Sequence, residues 1–400
     1  MNALEHQLDY PFADTLPAAG GFLEVVPGVR WLRMPLPFSL DHINVWLLRD
    51  EIDGQAGWTV IDCGISSDEI RRHWEHVFDT HLDGLPVLRV LVTHCHPDHF
   101  GLANWICEGG ERRRWQVRLW MTLGEFMFGQ VMATGNSANI GGAAAVEHFA
   151  RHGLADQAQL DKLRNRNSYY SDLVPTVPAR YRRLREGDTI MIGTRRWQIV
   201  TGFGHSPEHC ALHCPAEALL ISGDMVLPRI STNVSVFDLE PEANLLQLYL
   251  DSIGRYETMA AATLALPSHG KPFRGVRTRI GQLREHHAAR LDEVRQLCAE
   301  RPASAADVVP IMFRRRELDV HQLTFALGEA IAHLHLLWYM GELRREVDQT
   351  GVFRFRSVRE AVARDRVPAR STTLHASSRT GRDLLRPSKR PESLSDARRL

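Results

Sequence analysis

The sequence predicts an α/β layered domain that carries a helical insertion and is followed by a small module of helices and a β-hairpin. Short apolar runs closed by turn residues alternate with stretches of helical periodicity, the pattern of sheets packed against helices. The pattern shifts at about 120 and returns at about 185, which marks the insertion. It breaks again at Arg301-Pro302-Ala303-Ser304, and 400 residues exceed what one hydrophobic core usually organises. The expected division is an N-terminal segment 1–20, a main domain 21–300 with its insertion at about 120–185, a small domain 301–358 and a tail 359–400.

The first elements are strands. Gly28 to Met34, Ile43 to Leu48 and Trp58 to Ile61 are apolar runs, the last closed by Asp62-Cys63-Gly64, and they read as antiparallel partners. Ser66 to Phe78 reads as a helix. Ser66 or Ser67 caps it, Asp68 and Glu69 suit the positive end of its dipole, and Ile70, Trp74, Val77 and Phe78 fall on one face. Leu85 to Thr93 is apolar apart from Pro86 and Arg89, as expected of a strand covered on both faces. In the insertion, Gly124 to Ala133 and Ala143 to Leu163 read as helices joined by a flexible Gly135 to Gly142 linker. Strands follow at Thr189 to Met191, Trp197 to Thr201, Ala218 to Ser222 and Thr263 to Leu266, with a helix at Asn244 to Tyr256. Leu283 to Glu300, Ser304 to Met312 and His321 to Glu342 read as helices, and Leu343 to Phe355 as a hairpin about Gln349-Thr350-Gly351. Beyond Arg359 the chain is rich in Arg, Ser and Pro with few aromatics, the composition of a basic, disordered tail.

Composition excludes several classes. An apolar share of 44% and a charged share of 24% are those of a globular protein. Lys+Arg and Asp+Glu are 48 each, so no global field draws the chain to nucleic acid or an anionic membrane. No run is long and apolar enough to span a bilayer, and Met1 to Gly20 has no signal-peptide stretch, so the expectation is a cytoplasmic protein with no membrane partner. Six cysteines at scattered spacings read as reduced, buried thiols, Cys95 included, and not as a disulfide framework.

The chemistry lies in His94-Cys95-His96-Pro97-Asp98-His99, placed directly after an apolar strand. Imidazole and carboxylate donors suit zinc, iron or manganese, and His94 and His96 at i and i+2 of extended backbone point to one side. The arrangement recurs. His205 follows Trp197 to Thr201, Asp224 follows Leu219-Leu220-Ile221, and His269 follows Leu264-Ala265-Leu266. Loops beyond strand ends converge in open α/β sheets, so four such loops predict one site.

With these motifs in this order, Gly21 to Arg290 resembles the metallo-β-lactamase superfamily, in the two-metal, hydroxyacylglutathione hydrolase-like branch. The resemblance implies an αββα sandwich, with the main domain catalytic. It implies that His94, His96 and His205 hold one metal, that Asp98, His99 and His269 hold the other, and that Asp224 bridges them. Asp62 matches the family's early Asp-x-Gly element, a structural support. The implied cofactors are two divalent ions, zinc first, with iron or manganese as alternatives. Two adjacent ions lower the pKa of a shared water and polarise the group attacked, which is hydrolysis by a metal-bridging hydroxide. Asp98 then orients that hydroxide as the catalytic carboxylate.

The expected substrate is a small-molecule ester or thioester, acyl-CoA-like because the insertion is rich in apolar residues. The alternatives are a metal-dependent endoribonuclease or phosphodiesterase, a lactonase and a mononuclear iron dioxygenase. The C-terminal helices and hairpin resemble the winged-helix domain of one β-lactamase-like branch. His321 to Met340 has almost no Lys or Arg, which argues against groove binding and for docking on the main domain or a homo-oligomer contact. His209 and His213 share a face if the segment is helical and read as locally packed, His42 as a possible cleft residue, and His286 and His287 as a solvated helix face. Phe126, Phe128, Phe149, Tyr169 and Tyr170 read as packing residues of the insertion, or as a lid. Arg180, Arg182, Arg183 and Arg185 read as a solvated basic stretch.

Overall fold

Two mixed sheets face each other. The computed structural model describes residues 3–38, 40–113, 115–134, 142–165, 169–314 and 318–358, all within one compact unit. The first sheet contains β1 (Leu23–Val26), β2 (Val29–Pro35), β3 (His42–Ile52) and β4 (Gln55–Ile61), which pair antiparallel in sequence order. Helix α1 (Asp68–Thr80) crosses over to β5 (Val87–Leu91), which lies parallel to β4. The short helices α2 (Pro97–Phe100) and α3 (Ala103–Cys107) lead to β6 (Leu119–Thr122). The insertion follows as α4 (Leu123–Ala133), α5 (Gly142–Arg151), α6 (Gln157–Arg164) and α7 (Tyr169–Leu173), before β7 (Tyr181–Leu184) closes the sheet beside β6.

The second sheet has the order β13-β12-β11-β10-β9-β8. Its strands are β8 (Thr189–Ile192), β9 (Arg195–Gly202), β10 (His209–Cys214), β11 (Leu219–Gly223), β12 (Leu264–Pro267) and β13 (Phe273–Arg274). Helix α8 (Leu245–Gly254) crosses between the parallel pair β11 and β12, and α9 (Val276–Glu300) follows. The C-terminal segment adds α10 (Ala305–Met312), α11 (Val320–Tyr339) and the antiparallel hairpin of β14 (Leu343–Val347) and β15 (Phe353–Ser357).

Strand β3 shows why two sheets form. Ile43, Val45 and Leu47 face the helices α1 and α3 across one core, while Trp46 and Leu48 face the second sheet across another. A strand alternates sides residue by residue, so this run is apolar on both. Trp31, Trp46, Trp197, Leu212 and Leu266 fill the space between the sheets. The outer face of the second sheet (Ala211, Leu220, Ala265) packs with α8, α9 and α11 in a third core. The result is the four-layer order of helices, sheet, sheet and helices.

Helix α1 buries Ile70, Trp74, Val77 and Phe78, and Ser67 caps it by accepting the Ile70 N–H at 3.3 Å. Burying each of those side chains contributes roughly 1.5–3 kcal/mol. Elsewhere the sequence expectation needs correction. Ala143 to Leu163 is two helices, because Gly153 adopts φ +97° and turns the chain between α5 and α6. His209 to Cys214 is a strand, so His209 and His213 do not share a helix face. Helix α9 begins seven residues before Leu283 and runs unbroken to Glu300, and its His287 is fully buried, not part of a solvated face. All six cysteines are buried and free, and no helix among the described residues is long and apolar enough to cross a membrane. The expected tail from Arg359 and all of the Gly135 to Gly142 linker except Gly142 lie outside the described residues.

Candidate metal centre

Four loops meet at one end of the facing sheets. The loop after β5 carries His94 and His96 and runs into α2 with Asp98 and His99, the loop after β9 carries His205, and Asp224 and His269 follow β11 and β12. Three sets of donors gather there, each with its ligand atoms within 4.8 Å of one another: His94, His96 and His205; His94, His99 and Asp224; Asp98, His99 and His269. All seven residues singled out in the sequence therefore fall into one cluster.

The donors face inward. His94 Nε2 lies 2.9 Å from His96 Nδ1 and 3.2 Å from His205 Nε2. One Asp224 oxygen lies 3.5 Å from His205 Nε2 and 3.4 Å from His269 Nε2, and the other lies 3.6 Å from His99 Nε2. Asp98 completes the second set at 3.4 Å from His269 Nε2 and 3.6 Å from His99 Nε2. The nitrogen pointing away is held in each of three rings: His99 Nδ1 by Asp62 at 2.8 Å, His205 Nδ1 by the Asn233 carbonyl at 2.8 Å, and His269 Nδ1 by the His42 carbonyl at 2.8 Å. Such outer partners fix tautomer and ring orientation and leave Nε2 as a lone-pair donor.

Asp62 sits in the left-handed region at φ +61°, which turns its carboxylate back under the site. There it also accepts the Thr93 N–H at 2.8 Å and the Thr93 hydroxyl at 2.9 Å. His42 is a brace: its Nε2 accepts the Gly270 N–H at 2.9 Å and its carbonyl holds His269. His209 is another, its Nε2 accepting the Asp224 N–H at 3.2 Å. Cys95 is buried in the core shared with α1 and α3 and takes no part in the cluster.

The sequence did not reveal Glu125. From the first turn of α4, buried, it accepts the Cys95 N–H at 2.9 Å, the Ser206 hydroxyl at 2.6 Å and the Glu208 N–H at 2.7 Å. One carboxylate thus ties the His94–His99 loop to the His205 loop. A lone Glu in an apolar helix carries no spacing signal that would have found it. Tyr170 adds a second tie from the insertion, its hydroxyl donating to the Cys95 carbonyl.

Charge divides the cluster. Burial and then the neighbouring imidazoles push His94 well below its ordinary value, and burial with His205 beside it pushes His96 down to about 3, so both are neutral and able to ligate. Burial works against charge on His99 and His269. The carboxylates overcome it, with Asp98, Asp62 and Asp224 raising His99 well above the ordinary range and Asp224 and Asp98 raising His269 to about 10. Burial likewise opposes ionisation of Asp98 and Asp224, yet the two imidazoles hold Asp98 at about 2 and Asp224 well below the carboxylate range. The site is built around buried positive charge. His99 Nε2 and Asp224 Oδ1 are buried without a hydrogen-bond partner, which a divalent cation satisfies and a hydrogen-bond network of the chain itself does not. The residues fit the ions that the donor chemistry implies.

A four-layer α/β sandwich with clustered His and Asp donors at the sheet ends defines a metal-dependent hydrolase. The chain belongs to the metallo-β-lactamase superfamily, whose model matches residues 39–120 and 128–300, and the model of the metallo-β-lactamase-like C-terminal domain matches residues 291–358. It is similar to the Probable metallo-hydrolase YqjP of Bacillus subtilis (strain 168), with 23% identity over 328 residues, 76% of this chain and 91% of the relative. Among solved structures it resembles a beta-lactamase domain protein from Burkholderia ambifaria, with 74% identity and a TM-score of 0.83, over 90% of this chain and 99% of that one. A metallo-beta-lactamase family protein from Thermus thermophilus matches with 26% identity and a TM-score of 0.68, over 83% of this chain and 99% of that one.

Proposed function

We propose that the protein hydrolyses an ester or thioester, acyl-CoA-like in character, at a two-metal centre. One ion is held by His94, His96 and His205 and the other by Asp98, His99 and His269, with Asp224 shared; zinc is the first choice on donor chemistry. The observation that carries the reading is the position of Asp224, whose two oxygens stand within 3.6 Å of nitrogens from both sets. When bound, such ions supply a nucleophile near neutral pH and polarise the carbonyl attacked. Asp98, kept ionised by His99 and His269, accepts a hydrogen bond from the attacking water and orients it. Asp62, Asn233 and His42 hold the three rings in their ligating tautomer.

An apolar acyl group is supported by a group of aromatics drawn from the segment before β3, from α7 and from α11. Phe38 and Tyr169 stand 6.2 Å and 5.2 Å from the His321 ring, which stands 4.7 Å from Phe325. Tyr169 adjoins Tyr170, which holds the His94–His99 loop, and the Phe325 carbonyl accepts from Ser235, two residues from Asn233. The segment 301–358 is read as a winged-helix module of the hydroxyacylglutathione hydrolase-like branch. Helix α11 is buried from Ala326 to Leu337 and offers no long face to a nucleic-acid groove, which favours the small-molecule reading.

The test is a panel of acyl thioesters, carboxylic esters, lactones, phosphodiesters and short RNAs presented to the metal-loaded full chain. Turnover of acyl thioesters or esters well above the other classes is expected. Selective cleavage of RNA or phosphodiesters would overturn the proposal.

A further inference from the structure

A second group of donors lies outside the centre described above, between α9 and α11. One ligand atom each of His286, His287 and Glu329 lie within 4.8 Å of one another, His287 and Glu329 buried and His286 half-buried. Neighbouring side chains on a helix diverge by about 100°. The His286 and His287 rings nonetheless stand only 5.2 Å apart, at a steep 75°.

Hydrogen bonding fixes which atom of His287 is open. His333 Nδ1 lies 2.7 Å from the Glu329 backbone carbonyl, which can only accept, so His333 carries its proton on Nδ1 and presents a lone pair at Nε2. His287 Nδ1 lies 3.2 Å from that lone pair and must donate to it. The proton of neutral His287 is then on Nδ1, and its Nε2 is a bare lone pair. That atom is buried and has no hydrogen-bond partner. A histidine whose Nδ1–H is held by a fixed acceptor presents Nε2 as a lone pair, and a buried lone pair with no donor is satisfied by a cation. Burial keeps His287 and His333 neutral, the latter pushed down to about 4.

We propose that His286, His287 and Glu329 form an interhelical site for a divalent transition-metal ion, separate from the hydrolytic centre. Two imidazoles and a carboxylate suit zinc and its neighbours in the first row. Half-buried His286 can move to close the set and gives the ion its path from solvent. The ion links α9 to α11 and so clamps the C-terminal helices to the layer that packs on the second sheet. The site does not depend on the hydrolytic reading.

The test strips the full chain with a chelator, reloads it with Zn²⁺ alone, removes excess metal, and counts bound zinc by mass spectrometry. The chain is compared with the His286→Ala/Glu329→Gln variant. One equivalent fewer per chain is expected in the variant, with hydrolysis retained and a lost band in the visible spectrum after Co²⁺ loading. The same difference of one equivalent is expected in a His96→Ala/His269→Ala background, so a failure of the two-metal hydrolytic reading leaves this result standing. In that background Zn²⁺ should raise the Tm unless Glu329 and His286 are replaced. His286→Ala alone, at a half-buried position, repeats the count where the double variant folds poorly. Equal zinc content with and without these side chains would show a buried water in place of an ion and overturn the proposal.

Discussion

The sheet-end cluster and the helical layer behind the second sheet both bury histidines, but only the first raises any of them, His99 and His269, while His94 and His96 beside them are pushed down. At the sheet ends, Asp62, Asp98 and Asp224 face His99 and His269 and raise them. In the helical layer, His148, His152, His333 and His335 hydrogen-bond backbone carbonyls of Val236, His148, Glu329 and Ala243, and burial pushes all four down. A carbonyl fixes a tautomer without stabilising much charge, whereas a carboxylate does both. What stands opposite a buried imidazole, more than its burial, sets its chemistry.

The sharpest break in that contrast is loss of Asp224. Asp224→Ala should bring hydrolysis to background and lower bound metal, whereas His209→Gln, which loses only a brace to the Asp224 N–H, should keep measurable turnover. Equal loss in both would place the boundary of the site wrongly. Chelation should act like Asp224→Ala, and added metal should restore the wild type alone.

Ending the chain at Glu300 should be nearly as severe by a different route. Leu327, Ile331, Leu334 and Phe355 share one core with Tyr249, Leu283 and Leu291. Their removal exposes apolar surface of the kind that drives association. Aggregation or a changed oligomeric state in light scattering is expected. A monodisperse, active fragment would mean that the helical layer is independent of its C-terminal partners.

Asp62→Asn tests the support behind His99. Losing such a partner typically lowers metal affinity or activity about 10–100-fold. A titration of metal affinity should show that loss with the fold intact by circular dichroism, and an unchanged affinity would leave Asp62 as a folding residue only.

The smallest effect concerns pH. His152 is held at about 3 and His335 at about 4, below their unfolded value of 6.5. Between those values the unfolded chain binds more protons, so this stability is complete above pH 6.5 and is lost as pH falls toward 4. Urea midpoints should fall across that window, and less so in His335→Gln. An identical slope in that variant would remove His335 from the account.

The contrast also marks what could be read in advance. The strand ending at Ile61, the strand within Leu85 to Thr93 (observed as Val87–Leu91) and the seven clustered residues were legible, because each of the seven follows shortly after an apolar run. The supports were not. Glu125, Asn233 and the carbonyl of His42 act through backbone contacts across loops distant in sequence, and no periodicity records such contacts. His286-His287 looked solvated among charged neighbours, because a helix that packs on both the second sheet and α11 buries more than one stripe.

The split of the donors between two halves of the chain has a consequence for order of assembly. His94 and His205 are 111 positions apart, and the carbonyl that holds His269 is 227 positions from it. The first sheet emerges from synthesis with four donors and no means of completing either set. Only when the later strands dock does a chelating geometry exist, so ion capture comes after sheet pairing and acts as a latch on the finished sandwich. Metal supplied late in refolding should therefore serve as well as metal present from the start.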